Sequence, residues 1–180
     1  FTRRLPVSKE IINVQKDLGS KNLGQDLPIL LKNQMSVVAT SDAGNGVGYT
    51  GFRIRGSAGT SINVMLNGVP YNDSESQGTF FVNIPDMASS ASQIVIQRGV
   101  GTSSNGTASF GASVNILTKN PDEKPYVLGQ FSAGSFNTMK TSFEAGSGKF
   151  LNNLLSVSAR YSTINSDGYI DRAFSKLNSY

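Results

Sequence analysis

The chain holds few of the side chains that usually perform catalysis. Its 180 residues include no cysteine and no histidine, which excludes a thiolate nucleophile, a disulfide framework and an imidazole base or metal ligand. The Walker A, HExxH and GxSxG motifs are missing as well, and a two-carboxylate hydrolase would have to use Asp73 and Glu75 in one polar segment. We therefore predict that the protein is not an enzyme and that it has no catalytic residue, metal site or cofactor.

One glycine-rich segment matches a nucleotide-binding pattern by its letters alone. Residues 46–51 read GVGYTG and satisfy G-x-G-x-x-G. A dinucleotide-binding glycine motif opens a helix after a strand, whereas this one leads directly into the β-like segment 52–55. We interpret it as a glycine-rich loop. Lys and Arg are scattered along the chain and the net charge is only +4, so we expect no nucleic-acid binding.

Residues up to about 124 have the pattern of a mixed α and β region. Strands are predicted at 7–14, 52–55, 62–66, 93–98 and 114–118, between glycine and polar residues. A short helix is predicted at 26–32, with Asp26 as its cap and Pro28 in its first turn. Asn67-Gly68 predicts a tight hairpin, because both central residues of a type I′ turn need a positive φ.

Residues 127–162 alternate between apolar and polar side chains with a period of two. Odd positions carry most of the apolar residues and even positions most of the polar ones, which indicates antiparallel strands with one apolar face. We predict one turn at 134–137 and a second at 146–149 or slightly later, at 152–153. Such strands fit a sandwich surface or the wall of a membrane β-barrel. Three strands cannot close a barrel, which needs about eight, so we expect the chain to be a fragment.

Four motifs in a fixed order carry a resemblance to a known family. They read FRIRG at 52–56, VMLNGVP at 64–70, IVIQRG at 94–99 and FGASVNILTK at 110–119. In order and spacing they resemble the plug domain of TonB-dependent outer-membrane receptors, and residues 5–37 are similar to the opening of that domain. The resemblance implies an α+β plug domain at 1–124, a small mixed β-sheet with short helices and long loops. The first antiparallel strands of a transmembrane β-barrel would follow at 125–180, truncated.

The chain departs from the family pattern at three points. Asn67 stands where the hairpin usually has aspartate, which keeps the turn and removes a charge. Gly111-Ala112 replaces the usual glycine pair before the last plug strand, which suggests slightly looser backbone packing. No TonB box is recognisable before the plug-like region.

The resemblance implies energy-coupled import of a scarce nutrient across the outer membrane of a Gram-negative bacterium. The nutrient would be an iron chelate, cobalamin, haem or an oligosaccharide, and the plug would gate the barrel and help to bind it. The implied partners are TonB, acting through an N-terminal box not seen here, the small-molecule nutrient, outer-membrane lipid and the protein's own barrel.

The resemblance also implies two groups of site residues. Arg55 and Arg98 match the plug arginines that form a latch with barrel glutamates, although either could instead cap local carbonyls at a strand end. Ligand contacts are implied in the apical loops at 57–60, 71–81 and 102–107. The residues assigned to ligand binding are Ser57, Thr60, Tyr71, Asn72, Asp73, Glu75, Gln77 and Phe80. The competing interpretation of 71–81 is a solvated loop with Phe80 and Phe81 packed into the core.

Two other classes of function stay open at this point. One is a free-standing plug-like module that binds or senses a ligand without transport, and the other is a β-rich surface adhesin. They differ from a membrane receptor in one structural requirement. A receptor must expose the apolar odd-numbered face of residues 127–145 to lipid, whereas a soluble domain must bury it.

Overall fold

Two short α-helices, a π-helical turn at Val14–Leu18 and seven strands are described in the first part of the molecule, here called the N-terminal domain. The structure is a computed structural model and describes residues 8–100, 109–120, 122–151 and 154–180. The strands are β1 (Ser8–Asn13), β2 (Val37–Ser41), β3 (Thr50–Ile54), β4 (Ile62–Leu66), β5 (Val69–Pro70), β6 (Ala91–Arg98) and β7 (Ala112–Thr118). The helices are α1 (Leu27–Leu30) and α2 (Met87–Ser90).

The main sheet of the N-terminal domain is mixed, as predicted. Its strand order is β1-β6-β7-β4-β5, and β4 and β7 run parallel while the other neighbours are antiparallel. Strands β2 and β3 form a separate two-stranded sheet. The core lies on the central strands, whose β-branched residues pack well on a pleated surface. The core residues exposed by 1% or less include Ile62, Val64, Ile94, Ile96, Val114 and Ile116.

Helix α1 begins where the sequence predicts and ends earlier. Asp26 occupies the N-cap position, and its backbone carbonyl accepts from the amides of Ile29 and Leu30 at 3.0 and 3.2 Å. Asp26 is therefore the cap, as predicted, but it acts through its backbone, because its side chain makes no capping hydrogen bond. The carboxylate accepts instead from the Thr50 hydroxyl at 2.8 Å. The predicted helix at 26–32 is one turn, Leu27–Leu30.

The hairpin at Asn67-Gly68 is confirmed. Both residues have a positive φ, 51° and 83°, and Leu66 pairs with Val69 across the turn. The Asn67 amide also joins the hairpin to β7, because its oxygen accepts from the Thr118 backbone amide at 3.0 Å and its nitrogen donates to the Thr118 hydroxyl at 3.1 Å. The Thr118 hydroxyl is also within 3.3 Å of the Asn67 oxygen, to which it could donate. An aspartate could accept both hydrogen bonds, so the departure from the family's aspartate removes a charge and keeps the contact with β7.

Four antiparallel strands form the second part, here called the C-terminal sheet. They are β8 (Tyr126–Gly134), β9 (Thr138–Phe150), β10 (Leu155–Ser166) and β11 (Ser175–Ser179), in the spatial order β11-β10-β9-β8. The predicted turn at 134–137 is present, with Phe136 and Asn137 both at positive φ. The mixed sheet followed by antiparallel strands confirms the predicted fold class. The proposed boundary between residues 124 and 125 stays a prediction.

The first position given for the second turn is wrong. Strand β9 continues through 146–149, and the register between β9 and β10 shifts there instead, opposite Ser156 and Ser158. Gly148 has a φ of 67°, a conformation that glycine adopts readily and that allows an irregularity inside a strand. The chain turns between Leu151 and Leu154, whose backbone amide donates to the Leu151 carbonyl at 3.2 Å. Residues 152–153 lie outside the described residues.

The two faces of the C-terminal sheet have opposite character. Apolar side chains on the odd-numbered face are exposed, with Val127 at 83%, Phe131 at 68% and Phe143 at 61%. On the even-numbered face of β9, Lys140 and Ser142 are buried at 1% and 4%. This is the reverse of a soluble sheet, which hides its apolar face. Among the described residues no helix is long and apolar enough to cross a membrane.

The hairpin contact generates a stability prediction. Asn67→Ala should weaken the pairing of β4 with β5 and β7 by about 2 kcal/mol. Alanine is strained at positive φ, and the backbone amide and the hydroxyl of Thr118 each lose their hydrogen bond to the Asn67 side chain. Asn67→Asp, which tolerates the turn and keeps the acceptor, should cost less. The measurement is hydrogen exchange at the amides of β4, β5 and β7 in the intact protein. Equal protection in Asn67→Ala and wild type would contradict the assigned role.

Candidate functional site

Two of the three predicted apical loops, 57–60 and 71–81, lie at one end of the main sheet. Strands β4 and β7 are parallel and begin at this end, and β6, antiparallel to β7, finishes there. We call it the loop end of the sheet. Segment 57–60 leads into β4, and it packs so closely on Gly111 that a Cβ there would lie 2.3 Å from that of Ser57. Glycine is therefore required at 111. The third predicted loop, 102–107, lies outside the described residues.

Asn72 fixes segment 71–81 to the same end. Its amide oxygen accepts from the Val64 amide at 2.7 Å, and its amide nitrogen donates to the carbonyls of Ile62 and Gln77 at 3.0 and 2.8 Å. Both amide hydrogens are thus used within the protein. Asn72 positions the loop against the start of β4, and the predicted contact of Asn72 with a ligand stays a prediction.

Asp73 closes the tip of this loop. Its carboxylate accepts from the Ser76 amide at 2.7 Å and from the Ser76 hydroxyl at 2.8 Å, and its backbone amide donates to the Gly78 carbonyl at 2.8 Å. Both hydrogen bonds from Ser76 lower the pKa of Asp73, and the one from the backbone amide has the larger effect. The carboxylate is therefore ionised at neutral pH and acts only as an acceptor.

The remaining predicted ligand residues present their side chains at the surface. Thr60, Glu75, Gln77 and Phe80 are exposed, and Ser57 and Tyr71 are half-buried. The two phenylalanines of the loop separate: Phe80 is 44% exposed, whereas Phe81 is buried at 3%. The Phe81 ring packs on Phe52 with ring centroids 5.4 Å apart. Phe81 therefore anchors the loop in the core, and Phe80 is left available for a ligand.

The two predicted latch arginines differ in their surroundings. The Arg98 side chain is only 4% exposed and forms an ion pair with Glu10 of the neighbouring strand β1. Its Nε also donates to the Met35 carbonyl at 3.0 Å. Arg55 is exposed, has a φ of 52° and lies beside Gly99. Within the described ranges its guanidinium makes no hydrogen bond or ion pair, so of the two arginines Arg55 is the one placed to reach another part of the protein.

Sequence reasoning missed a set of buried charges between the N-terminal domain and the C-terminal sheet. Asp86 is fully buried, and Lys140 and Arg160 have side-chain exposures of 1% and 13%. Lys140 Nζ lies 2.6 Å from Asp86 Oδ1, and Arg160 Nη1 lies 2.8 Å from Asp86 Oδ2. We call these three residues the charge cluster.

Backbone geometry brings the charge cluster together. Asp86 precedes α2 with a φ of 54°, in the left-handed region that aspartate and asparagine tolerate best among non-glycine residues. Lys140 and Arg160 lie on the even-numbered faces of β9 and β10, which point toward the N-terminal domain. The signal in the sequence was two long cations at even positions of adjacent predicted strands. Their partner is more than fifty positions away, as the separation of 54 between Lys140 and Asp86 shows.

A second buried acid, Asp26, contacts the glycine-rich segment 46–51. It is 2% exposed, and burial raises its pKa from 3.8 to about 6 against the opposing effects of the Thr50 hydroxyl and the Gly48 amide. Its backbone amide also donates to the Gly46 carbonyl at 2.9 Å. The segment that resembles a nucleotide-binding motif is thus folded around an acid, which would repel a phosphate.

Asp26 generates a pH prediction. A folded-state pKa above the unfolded value gives a stability contribution that is complete below pH 3.8 and is lost as the pH rises through about 6. We expect the N-terminal domain to lose about 2.4 kcal/mol from this group between pH 4 and pH 7, because the unfolded-state carboxyl is already partly ionised at pH 4. Asp26→Asn should remove that dependence, and Asp42→Asn, at an exposed neighbouring acid, should not. Urea unfolding of the intact protein at the two pH values measures this. If the free energy of unfolding of Asp26→Asn changed between the two pH values as much as that of the wild type, the assignment to Asp26 would be refuted.

Known proteins share this architecture. The family model of the TonB-dependent receptor plug domain matches residues 2–113. The pyoverdine outer-membrane receptor FpvA of Pseudomonas aeruginosa, solved with pyoverdine bound, is similar over 94% of this chain and 23% of its own, with 15% identity and a TM-score of 0.68. The alcaligin outer-membrane receptor FauA of Bordetella pertussis is similar over 92% of this chain and 27% of its own, with 16% identity and a TM-score of 0.69.

A third solved structure is also similar to this chain. The ferric yersiniabactin uptake receptor FyuA of Yersinia pestis is similar over 89% of this chain and 24% of its own, with 16% identity and a TM-score of 0.61. No curated protein sequence matches the chain significantly. The chain spans about a quarter of the length of these receptors, and at such low identity the likeness establishes the fold. The family model covers more than half of the chain, so the protein belongs to the TonB-dependent receptor plug domain family.

Proposed function

We propose that this chain is the plug and first barrel strands of an outer-membrane receptor that imports a scarce nutrient into a Gram-negative bacterium. The observation that carries the proposal is the inverted C-terminal sheet. Its apolar face is exposed and its polar face packs on the N-terminal domain, an arrangement that suits strands with lipid on one side and a filled lumen on the other. TonB would supply the energy by acting on the segment before β1, and the N-terminal domain would be the gate.

The loop end of the sheet is the proposed ligand-binding region. Glu75 and Gln77 offer acceptors and an amide, while Tyr71 and Phe80 offer aromatic surface for stacking. Asp73 is ionised, and segment 71–81 contains no Lys or Arg. This favours a polar nutrient that needs no positive charge from this loop, although barrel loops would complete the site. The nutrient that we propose is an iron chelate, cobalamin, haem or an oligosaccharide.

Arg55 is the proposed latch between plug and barrel wall. Its guanidinium is exposed beside Gly99, and a carboxylate from a later barrel strand could meet it with two parallel hydrogen bonds. Arg98 would support it from within the N-terminal domain, because Glu10 already holds its guanidinium. The latch with barrel glutamates would thus be made mainly by Arg55.

The free-standing plug-like module is the alternative function. It would have to cover the exposed odd-numbered face of β8, β9 and β10, where Val127, Phe131 and Val157 are each exposed by more than 60%. The apolar patch is contiguous across three strands, and such a patch on a soluble monomer would favour association. The same argument applies to a soluble adhesin fragment.

Membrane fractionation of the source cells tests the proposed location. An antibody against this chain should detect a polypeptide several times larger than 19.1 kDa in the outer-membrane fraction. Detection of a soluble species near that mass would overturn the receptor proposal in favour of the free-standing module.

Variants of the exposed loop residues test the ligand site. Phe80→Ala and Glu75→Ala in the full-length receptor should each weaken binding of the imported nutrient by about fivefold, since each removes one contact worth about 1 kcal/mol. Ser74→Ala, an exposed position in the same loop, is the matched control and should bind as wild type. The measurement is binding to whole cells across siderophores, cobalamin, haem and oligosaccharides. If both loop variants bound the nutrient as tightly as the wild type, the ligand site would not include these residues.

A further inference from the structure

The charge cluster joins two parts of the molecule that have to separate or rearrange if the N-terminal domain is a gate. Asp86 Oδ1 accepts from Lys140 Nζ and from the Ser89 hydroxyl at 2.6 Å each, and Asp86 Oδ2 accepts from Arg160 at 2.8 Å. Lys140 also donates to the Ser89 hydroxyl at 2.7 Å. Both carboxylate oxygens of Asp86 are therefore used, and both partners from the C-terminal sheet are cations.

Arg160 extends the same network across the C-terminal sheet. Its Nε donates to the Ser90 hydroxyl of α2 at 3.0 Å. Its two terminal nitrogens donate to the hydroxyls of Ser162 on β10 and Ser179 on β11 at 3.0 and 2.9 Å. One guanidinium thus connects α2 of the N-terminal domain to two strands of the C-terminal sheet.

We propose that Asp86, Lys140 and Arg160 form a dry electrostatic anchor that seats the plug on strands β9 and β10. The inference rests on the proposed function, in which the N-terminal domain lies inside a barrel. The anchor has the opposite polarity to the predicted arginine latch, because here the plug supplies the acid and the wall supplies the cations.

Burial is what gives the anchor its strength. Two other ion pairs also involve strand β9, Lys119–Glu144 and Lys149–Glu123, and their lysine side chains are 37% and 38% exposed. Exposed pairs of this kind contribute little because water and salt screen them. In the charge cluster, loss of one partner leaves a charge without water and without a counter-charge, which strongly destabilises the buried state.

The same burial makes the anchor releasable. When the plug moves away from β9 and β10, water reaches all three charges and replaces the protein contacts. The seated and the displaced states can then both satisfy these groups, whereas a state with the two surfaces apart and still dry cannot. The anchor therefore favours the seated plug and opposes partial, unhydrated separation.

The test measures how often the plug leaves the wall in the full-length receptor. Ser142 is 4% exposed on the inner face of β9, so a thiol placed there by Ser142→Cys reacts with a maleimide only when the plug is displaced. The described chain has no cysteine of its own, and any cysteine elsewhere in the receptor is replaced. Labelling rates in purified receptor, at a urea concentration that leaves the barrel folded, then report the displaced fraction.

Four variants in this background give distinct expectations. Asp86→Asn keeps the left-handed backbone and removes the single negative charge of the charge cluster. It should raise the labelling rate about 100-fold. Lys140→Met should raise it less, because Asp86 keeps Arg160. The double variant should label more slowly than Asp86→Asn alone, since it relieves repulsion between two unpaired cations. Lys149→Met, the same change at the exposed lysine of the same strand, should stay within about twofold of wild type.

Two outcomes would overturn the anchor. One is a labelling rate in both Asp86→Asn and Lys140→Met no higher than in Lys149→Met. The other is a double variant whose rate is the product of the two single effects, which would show that the residues act independently. If Asp86→Asn does not accumulate as a folded barrel, the comparison of Lys140→Met and Lys140→Arg with Lys149→Met decides, with Lys140→Arg expected near wild type. Nutrient uptake is not the readout, so failure of the anchor and failure of the transport proposal are separate results.

Discussion

The structure depends on one constraint: the C-terminal sheet exposes its apolar face, so its polar face has to be satisfied by the N-terminal domain. Buried hydroxyls and cations on β9 and β10 cannot be left without partners in a dry interface. Asp86 supplies the charge, and Ser89 and Ser90 supply the hydroxyl oxygens that complete it. The short helix α2 is therefore more than a connection between two parts of the core, because it presents these groups in one turn.

The loop end of the sheet follows a different principle, in which the frame is rigid and the contact groups are exposed. Asn72 and Asp73 use their side chains to shape the loop, and Phe81 fixes it to Phe52 in the core. The exposed residues then need little ordering when a ligand binds, which reduces the entropic cost of binding. Framework and contact residues thus lie within the same eleven positions, so a polar loop is held to the sheet by some of its side chains while others stay exposed.

Local features of this fold could be predicted well from the sequence. Asn67-Gly68 forms its turn because the φ values are dictated by the two residue types, and the alternation after Tyr126 defines the two faces of the sheet because the side-chain period of a strand is two. The strand at 62–66 was predicted with its observed bounds. Features that depend on distant partners could not be predicted. The Asp26 side chain bonds to Thr50 rather than to its own helix, Arg98 is held by Glu10, and the partner of Lys140 comes from another domain.

The order in which the main sheet is connected has a consequence for how the chain folds. Among the described strands β1 pairs with β6 alone, and the parallel partner of β4 is β7, so these contacts close loops of tens of residues. Sheets built from such distant pairings fold slowly, because loop-closure entropy is lost before the contacts form. The domain has no complete sheet until β7 has emerged and found β4. A chain that has been made only as far as β6 therefore lacks the strand that joins the β1–β6 pair to the β4–β5 hairpin, and these two halves of the sheet have no backbone contact with each other.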